Sequence, residues 1–172
     1  MGTSGDALKF RVERTSIGVL YAEWGRMQDW KTRCHPDILK MLAYWDGKRH
    51  GRAMPQRSDI DPTELVSLLP NNVVDDDRRF VYRLVGTGEV QLRGKDPTGK
   101  SVRDGFFAAT PEIAEGNYQR VCDSREPYYE EDNFQVVDRY IGEANLFLPL
   151  SDDNETVNKI LVFSINRDLY GA

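Results

Sequence analysis

Between Phe80 and Val85 the chain reads Phe-Val-Tyr-Arg-Leu-Val, and Phe80, Tyr82 and Leu84 recur every second residue, the period of a β-strand with one inward face. Gly86 stops that strand. From Gly88 to Leu92 the pattern changes to a short helical turn, which Gly94, Pro97 and Gly99 end. Upstream, Ile38, Met41, Leu42 and Trp45 recur at helical spacing behind Pro36 and Asp37, and Gly47 closes the helix. Asp61-Pro62-Thr63-Glu64 supplies an N-cap, a first-turn proline and a capping-box glutamate, so a third helix is predicted there, buried by Leu65, Leu68 and Leu69 and stopped by Pro70. Asn72–Asp75 pairs as a hairpin with Phe80–Val85 around Asp76-Asp77-Arg78.

Beyond the central stretch, Val102–Phe107 predicts a brief helical turn. Thr110-Pro111-Glu112 opens a longer helix with Ala114, Tyr118, Val121 and Cys122 on one face. Strands follow at Tyr128–Phe134, Arg139–Leu150 and Val157–Asn166, the last two joined by the polar turn Ser151–Asn154. Near the start, Leu8, Phe10 and Val12 alternate like a short strand. Ile17, Leu20, Tyr21, Trp24 and Met27 predict a helix over Ser16–Trp30, which Gly18 and Gly25 weaken. The apolar stripe of that helix requires cover, either as a cap on its own sheet or as a dimer interface. Strands, then helices, then more strands define an α+β fold with an antiparallel sheet.

The 172 residues divide into an N-terminal extension, 1–33, and a domain, 34–172. A domain of this size buries roughly 70% of the surface its unfolded chain exposes, so neither metal nor disulfide is needed to hold it. Cys34 and Cys122, with no CxxC spacing, fit a reducing compartment. No signal peptide and no apolar run near the roughly 20 residues of a membrane span are present, so a soluble, cytoplasmic protein with no membrane partner is expected. The net charge of −5 argues against nucleic acid; the basic run Lys48-Arg49-His50-Gly51-Arg52 reads first as a helix end whose cations suit the helix dipole.

Several candidate chemistries fail on pattern. Asn71–Asp77 superficially resembles the acidic start of a phosphoacceptor domain, but a second strand follows where a helix is needed. Gly86-Thr87-Gly88 is half of a dinucleotide fingerprint, with Gln91 where the third glycine belongs and no βαβ repeat behind it. Arg57, Asp59 and Asp61 cluster in one loop, and Glu130, Glu131 and Asp132 in a later strand. Paired carboxylates can serve acid–base catalysis or hold a hard cation, yet the two histidines, His35 and His50, both precede the core and no nucleophile triad accompanies them. Arg83 faces opposite to Phe80, Tyr82 and Leu84. Either it lies on a solvated sheet face or it is partly buried and paired with Asp59, Asp61 or Asp96, because a buried unpaired arginine costs several kcal/mol.

Tyr44-Trp45, Gly51-Arg52, Met54-Pro55, Arg57, Asp59, Asp61-Pro62, Leu68-Leu69-Pro70, Arg79-Phe80, Tyr82–Thr87, Gly94, Asp96 and Thr98-Gly99 together resemble a PAS domain, over about residues 38–165. More narrowly, the chain resembles a bacterial subfamily of short, single-domain PAS proteins. The resemblance implies five antiparallel strands in the order 2-1-5-4-3, with short helices on one face over a small cavity. Haem-binding relatives carry a histidine in the helix before the third strand, and Pro111–Ser124 has none; blue-light flavin relatives carry a cysteine motif that Val121-Cys122-Asp123-Ser124 lacks. No haem, no covalent flavin and no metal are therefore expected. The resemblance implies a cytoplasmic bacterial sensor or protein-interaction module without its own output domain, homodimeric, signalling to an unidentified protein and able to hold a small metabolite. Leu146, Leu148, Ile160, Val162 and Arg83 are the candidate pocket residues, with no catalytic residue expected. The alternative is a small carboxylate enzyme built on the Asp59/Asp61 loop.

Overall fold

Pro36 and Asp37 start a helix where the chain predicted one. In the computed structural model, which describes residues 30–65, 71–76, 79–105, 110–136 and 139–168, α1 spans Pro36–Gly47. His35 caps it, its Nδ1 accepting from the Asp37 amide at 3.2 Å, and Ile38, Met41 and Trp45 form its buried stripe. The chain divides after Arg33 into two compact units; of the first, residues 30–33 are described and helical. The strand expected at Leu8–Val12, most of the helix expected over Ser16–Trp30, Leu68–Pro70 and Phe106-Phe107 lie outside the described residues.

The loop after α1 carries one 3-10 turn, Arg57–Asp59, and is otherwise tied down by polar contacts. His50 and Gly51 turn the chain through left-handed conformations, φ 50° and 82°. Arg52 pairs with Asp59, whose carboxylate also accepts from the Gln56 amide at 2.7 Å. Met54 and Pro55 are fully buried, Pro55 O accepts from the Ser151 amide at 2.9 Å, and Asn154 Oδ1 accepts from the Ala53 amide at 2.8 Å. The helix predicted from Asp61 is a 3-10 turn, Pro62–Leu65, as far as it is described.

Five strands follow: β1 (Asn71–Asp76), β2 (Arg79–Leu84), β3 (Tyr128–Val136), β4 (Arg139–Leu150) and β5 (Lys159–Asp168). They form one antiparallel sheet in the order β2-β1-β5-β4-β3. Between β2 and β3 lie α2 (Thr87–Arg93), α3 (Val102–Gly105) and α4 (Pro111–Ser124). Gly94, at φ 67°, ends α2 in the left-handed conformation that glycine adopts without steric cost. Thr110 Oγ1 caps α4 by accepting from the Ile113 amide, and Pro111 follows at the first helical position. The outer edge of β2 is not left open. Tyr82 exchanges backbone hydrogen bonds with Gly99 and Lys100, 2.7 and 3.0 Å, and Val81 bridges Ser101.

Register decides which residues face the helices. Phe147 stands opposite Tyr128 and Val162, and Asn145 opposite Glu130 and Ser164; residues paired across an antiparallel ladder share a face. Tyr118 of α4 packs edge-on to Phe147 at 5.2 Å and against Phe80 at 5.3 Å, so this is the face beneath α4. The opposite face carries Leu146, Leu148, Leu161 and Phe163, all buried. On the other side of the chain's course, α1 packs along β4, where the Trp45 indole N–H donates to Pro149 O at 2.8 Å. Leu84 departs from the inward face expected for it: a register shift at Asn72/Val73 follows its pairing position, and it is 54% exposed.

Candidate functional site

The face of the sheet under the helices is not uniformly apolar. Phe80, Tyr82, Tyr118, Phe147 and Val162 make an aromatic and aliphatic end. Beyond it a seam of polar side chains crosses three strands and meets two helices. Ser164 Oγ donates to Asn145 Oδ1 at 2.6 Å between β5 and β4, and Asn117 of α4 donates to Glu130 of β3. Asn166 of β5 donates to Glu89 Oε1 of α2 at 2.9 Å. Glu89 and Arg93 stand four apart on α2, a spacing that puts both on one helix face, and they pair at 3.2 Å with each side chain 9% exposed. Arg93 also donates to Gly105 O at 3.2 Å and lies 5.4 Å from the Tyr82 ring centre.

Gly105 makes that last link possible. A Cβ there would sit 3.0 Å from the Pro97 Cβ and 3.1 Å from the Tyr82 Cε2, closer than such contacts normally come, so α3 approaches the ring because it ends without a side chain. The seam runs from buried Asn145 at 9% exposure to exposed Asn166 and Asp132, so one end is dry and the other meets solvent.

Burial sets the protonation behaviour of this seam. Glu143, opposite Asn166 and Asp132 across the sheet, is pushed up to about 7, first by burial and then by the charges of Glu89 and Glu130; a hydrogen bond from Asn145 and the charge of Arg93 oppose the rise. Glu130 is also raised, by burial and by Asp132, against the bond from Asn117. Desolvation lifts the Tyr118 phenol well above its ordinary value, with the neighbouring Tyr82 adding to it. Among the described residues no group of three or more His, Cys, Asp or Glu is arranged to hold a metal ion, so these carboxylates form a hydrogen-bonded row and not a cation cage.

The residues singled out from sequence fall in different places. Ile160 and Val162 are on the helix-facing side, 1% and 3% exposed; Leu146 and Leu148, both fully buried, are on the other side and cannot line the same space. β4 is buried on both faces over Ala144–Leu150 and β5 over Ile160–Phe163, so these apolar runs carry no phase, and only the pairing of Phe147 with Val162 decides it. Arg83 is exposed. The three carboxylates considered for it bond elsewhere: Asp59 with Arg52, Asp61 with both the amide and hydroxyl of Thr63, and Asp96 with the Thr98 amide. Asp59 and Asp61 thus serve two separate turns and do not converge as an acid–base pair. The basic run is likewise engaged locally, Lys48 with Glu64 at 2.7 Å and Arg49 with Asp46 at 2.8 Å.

Sequence reasoning missed Glu89, Arg93, Asn145, Glu143 and Ser164. Two signals were present: the Glu-x-x-x-Arg spacing immediately after a buried strand, and a lone Asn and Ser inside the apolar runs of β4 and β5.

An antiparallel sheet with three helices between its second and third strands, part of whose helix-facing side is polar, is the α+β architecture of this chain. The chain belongs to the PAS domain family, whose sequence model matches residues 33–163. Such domains are in general signal-sensing and interaction modules. Among solved structures, the chain is similar to the PAS domain of BvgS from Bordetella pertussis at 17% identity, covering 62% of this chain and 85% of that one with a TM-score of 0.47. No curated protein matches the chain. No helix among the described residues is long and apolar enough to cross a membrane.

Proposed function

We propose that this PAS domain is a sensor module of bacterial cytoplasmic signal transduction, which holds a small metabolite between its sheet and helices and passes its state to another protein. It works as a homodimer and has no catalytic role of its own. The observation that supports this reading is the polar seam. A face that served only as core would be filled with apolar side chains, because each buried polar group must find a partner merely to break even. Here Glu89, Arg93, Glu130, Glu143, Asn145 and Ser164 are gathered beside Tyr82 and Tyr118, in the arrangement of an apolar wall with a few placed polar groups that small-molecule sites share. Of the residues first proposed as lining, Ile160 and Val162 stand on this face; Leu146, Leu148 and Arg83 do not belong to it.

Native mass spectrometry of freshly purified protein tests both halves of the proposal. A dimer carrying a retained small molecule is expected, with the adduct diminished in Ser164→Val, which removes one polar group from the seam. Bare polypeptide in the wild type, or an adduct indifferent to Ser164→Val, overturns the metabolite assignment; a monomer at micromolar concentration overturns the dimer.

A further inference from the structure

Glu143 stands where the sheet's polar seam meets α2. Every element around it presents a charged or polar group. Glu89 and Arg93 face it from α2, Glu130 and Asp132 from β3, Asn145 from its own strand, Asn166 from β5, and Tyr118 from α4. Arg120 of α4 acts on Glu130 and lies 4.7 Å from the Tyr128 ring centre. Two chains of hydrogen bonds pass this point: Ser164 to Asn145 to Glu143, and Asn166 to Glu89, which in turn accepts from Arg93. The second chain is what straps α2 to the sheet, and Arg93 extends it to α3 through Gly105 O.

The arrangement is one of competition. Arg93 is the cation that Glu89 uses, and Glu143 lies in the field of both. A neutral Glu143 leaves the Glu89–Arg93 pair undisturbed; an ionised one repels Glu89 and attracts Arg93. We propose that Glu143 is a proton-operated latch on α2, which holds the helix against β5 when its carboxyl is protonated and loosens it when the carboxyl ionises. α2 is a short helix of seven residues without a side-chain N-cap, so the strap through Asn166 and Gly105 is a large share of what seats it. The latch works near neutral pH, where burial places this carboxyl. Its release alters the helix that borders the seam. The inference rests on the reading of this face as the sensing site, but requires no ligand.

Hydrogen exchange on the full chain tests it. Protection factors of the α2 amides, including that of Val90, which donates to Gly86 O at 3.0 Å, are measured at about pH 6 and about pH 8 and corrected for intrinsic exchange, with α4 as internal reference. In the wild type, α2 protection is expected to fall about tenfold relative to α4 across that interval, and in Glu143→Gln to stay level. Glu130→Gln removes one of the charges acting on Glu143, so it keeps the pH dependence but moves its midpoint to lower pH. Wild-type protection that is level with pH, a dependence that survives in Glu143→Gln, or a midpoint that Glu130→Gln leaves in place each overturns the latch. The Glu130→Gln midpoint remains decisive if Glu143→Gln fails to fold. A protein that retains no metabolite but shows the pH-dependent protection refutes the metabolite reading and keeps the latch; the reverse result does the opposite.

Discussion

Arg93→Met removes the guanidinium that joins α2 to the rest of the domain while keeping most of its aliphatic stem. Glu89 and Arg93 are each 9% exposed, so water cannot take over the charge that is left behind. Glu89 would keep the Asn166 amide at 2.9 Å as a donor, while Gly105 O would lose its guanidinium donor and the Tyr82 ring its cation. Removing one member of a buried pair costs about 3–5 kcal/mol. The surviving Asn166 bond places Arg93→Met near the lower end, about 3 kcal/mol. Glu89→Gln leaves the Arg93 charge buried with only an amide oxygen at position 89 to accept from it, a cost of about 1.5–3 kcal/mol. In the double variant no buried charge is stranded, so the two effects should fall short of additive by at least about 1 kcal/mol. Urea unfolding at constant pH and salt reads all three. With a slope of about 1–3 kcal/mol per molar urea, Arg93→Met alone moves the midpoint by about 1 M or more. A midpoint within error of the wild type, or costs that add within about 0.5 kcal/mol, would show that the pair is solvated and that it does not hold α2 in place.

Three further outcomes follow from the same geometry. Glu143 is raised from its ordinary range to about 7 in the folded chain, so between those values the folded state binds more protons than the unfolded one. Its contribution is full below about pH 4.5 and is lost as pH rises through 7, up to about 3 kcal/mol, and a series of urea midpoints across that range should show the decline in the wild type and not in Glu143→Gln. Trp45→Phe removes the donor at 2.8 Å from Pro149 O in a buried contact, and should lower stability by about 1–3 kcal/mol in calorimetry; an unchanged Tm means that carbonyl has found another donor. Gly94 occupies φ 67° with open space where a Cβ would be, so Gly94→Ala should cost about 1 kcal/mol and Gly94→Asn less; equal effects would place the cause in packing and not in backbone conformation.

Elements with a local cause were legible along the chain. Pro36 and Pro111 mark helix starts, Gly94 ends α2, and the polar turn at Ser151–Asn154 separates the last two strands, because each of these residues acts on its own backbone or its immediate neighbours. The PAS family, too, could be read from order and spacing, since the family match spans residues 33–163. The site was far less legible. Leu146 and Leu148 look no different from Ile160 and Val162 in composition or spacing, and they part company only when Phe147 pairs with Val162.

What the amino-acid sequence determined by itself was therefore most of the elements among the described residues and their α+β class, consequences of short-range periodicity and of residues that start or stop a helix, while the resemblance carried by residues between Tyr44 and Gly99 pointed to the family. What only the tertiary structure decided was which side of each strand lies beneath the helices, and hence that Glu89, Arg93, Glu130, Glu143, Asn145 and Ser164 share one seam. The physical reason is that a strand's two faces differ by a single step of register. Where both faces are buried, nothing in the strand's own residues selects between them, and the choice belongs to its partners across the sheet.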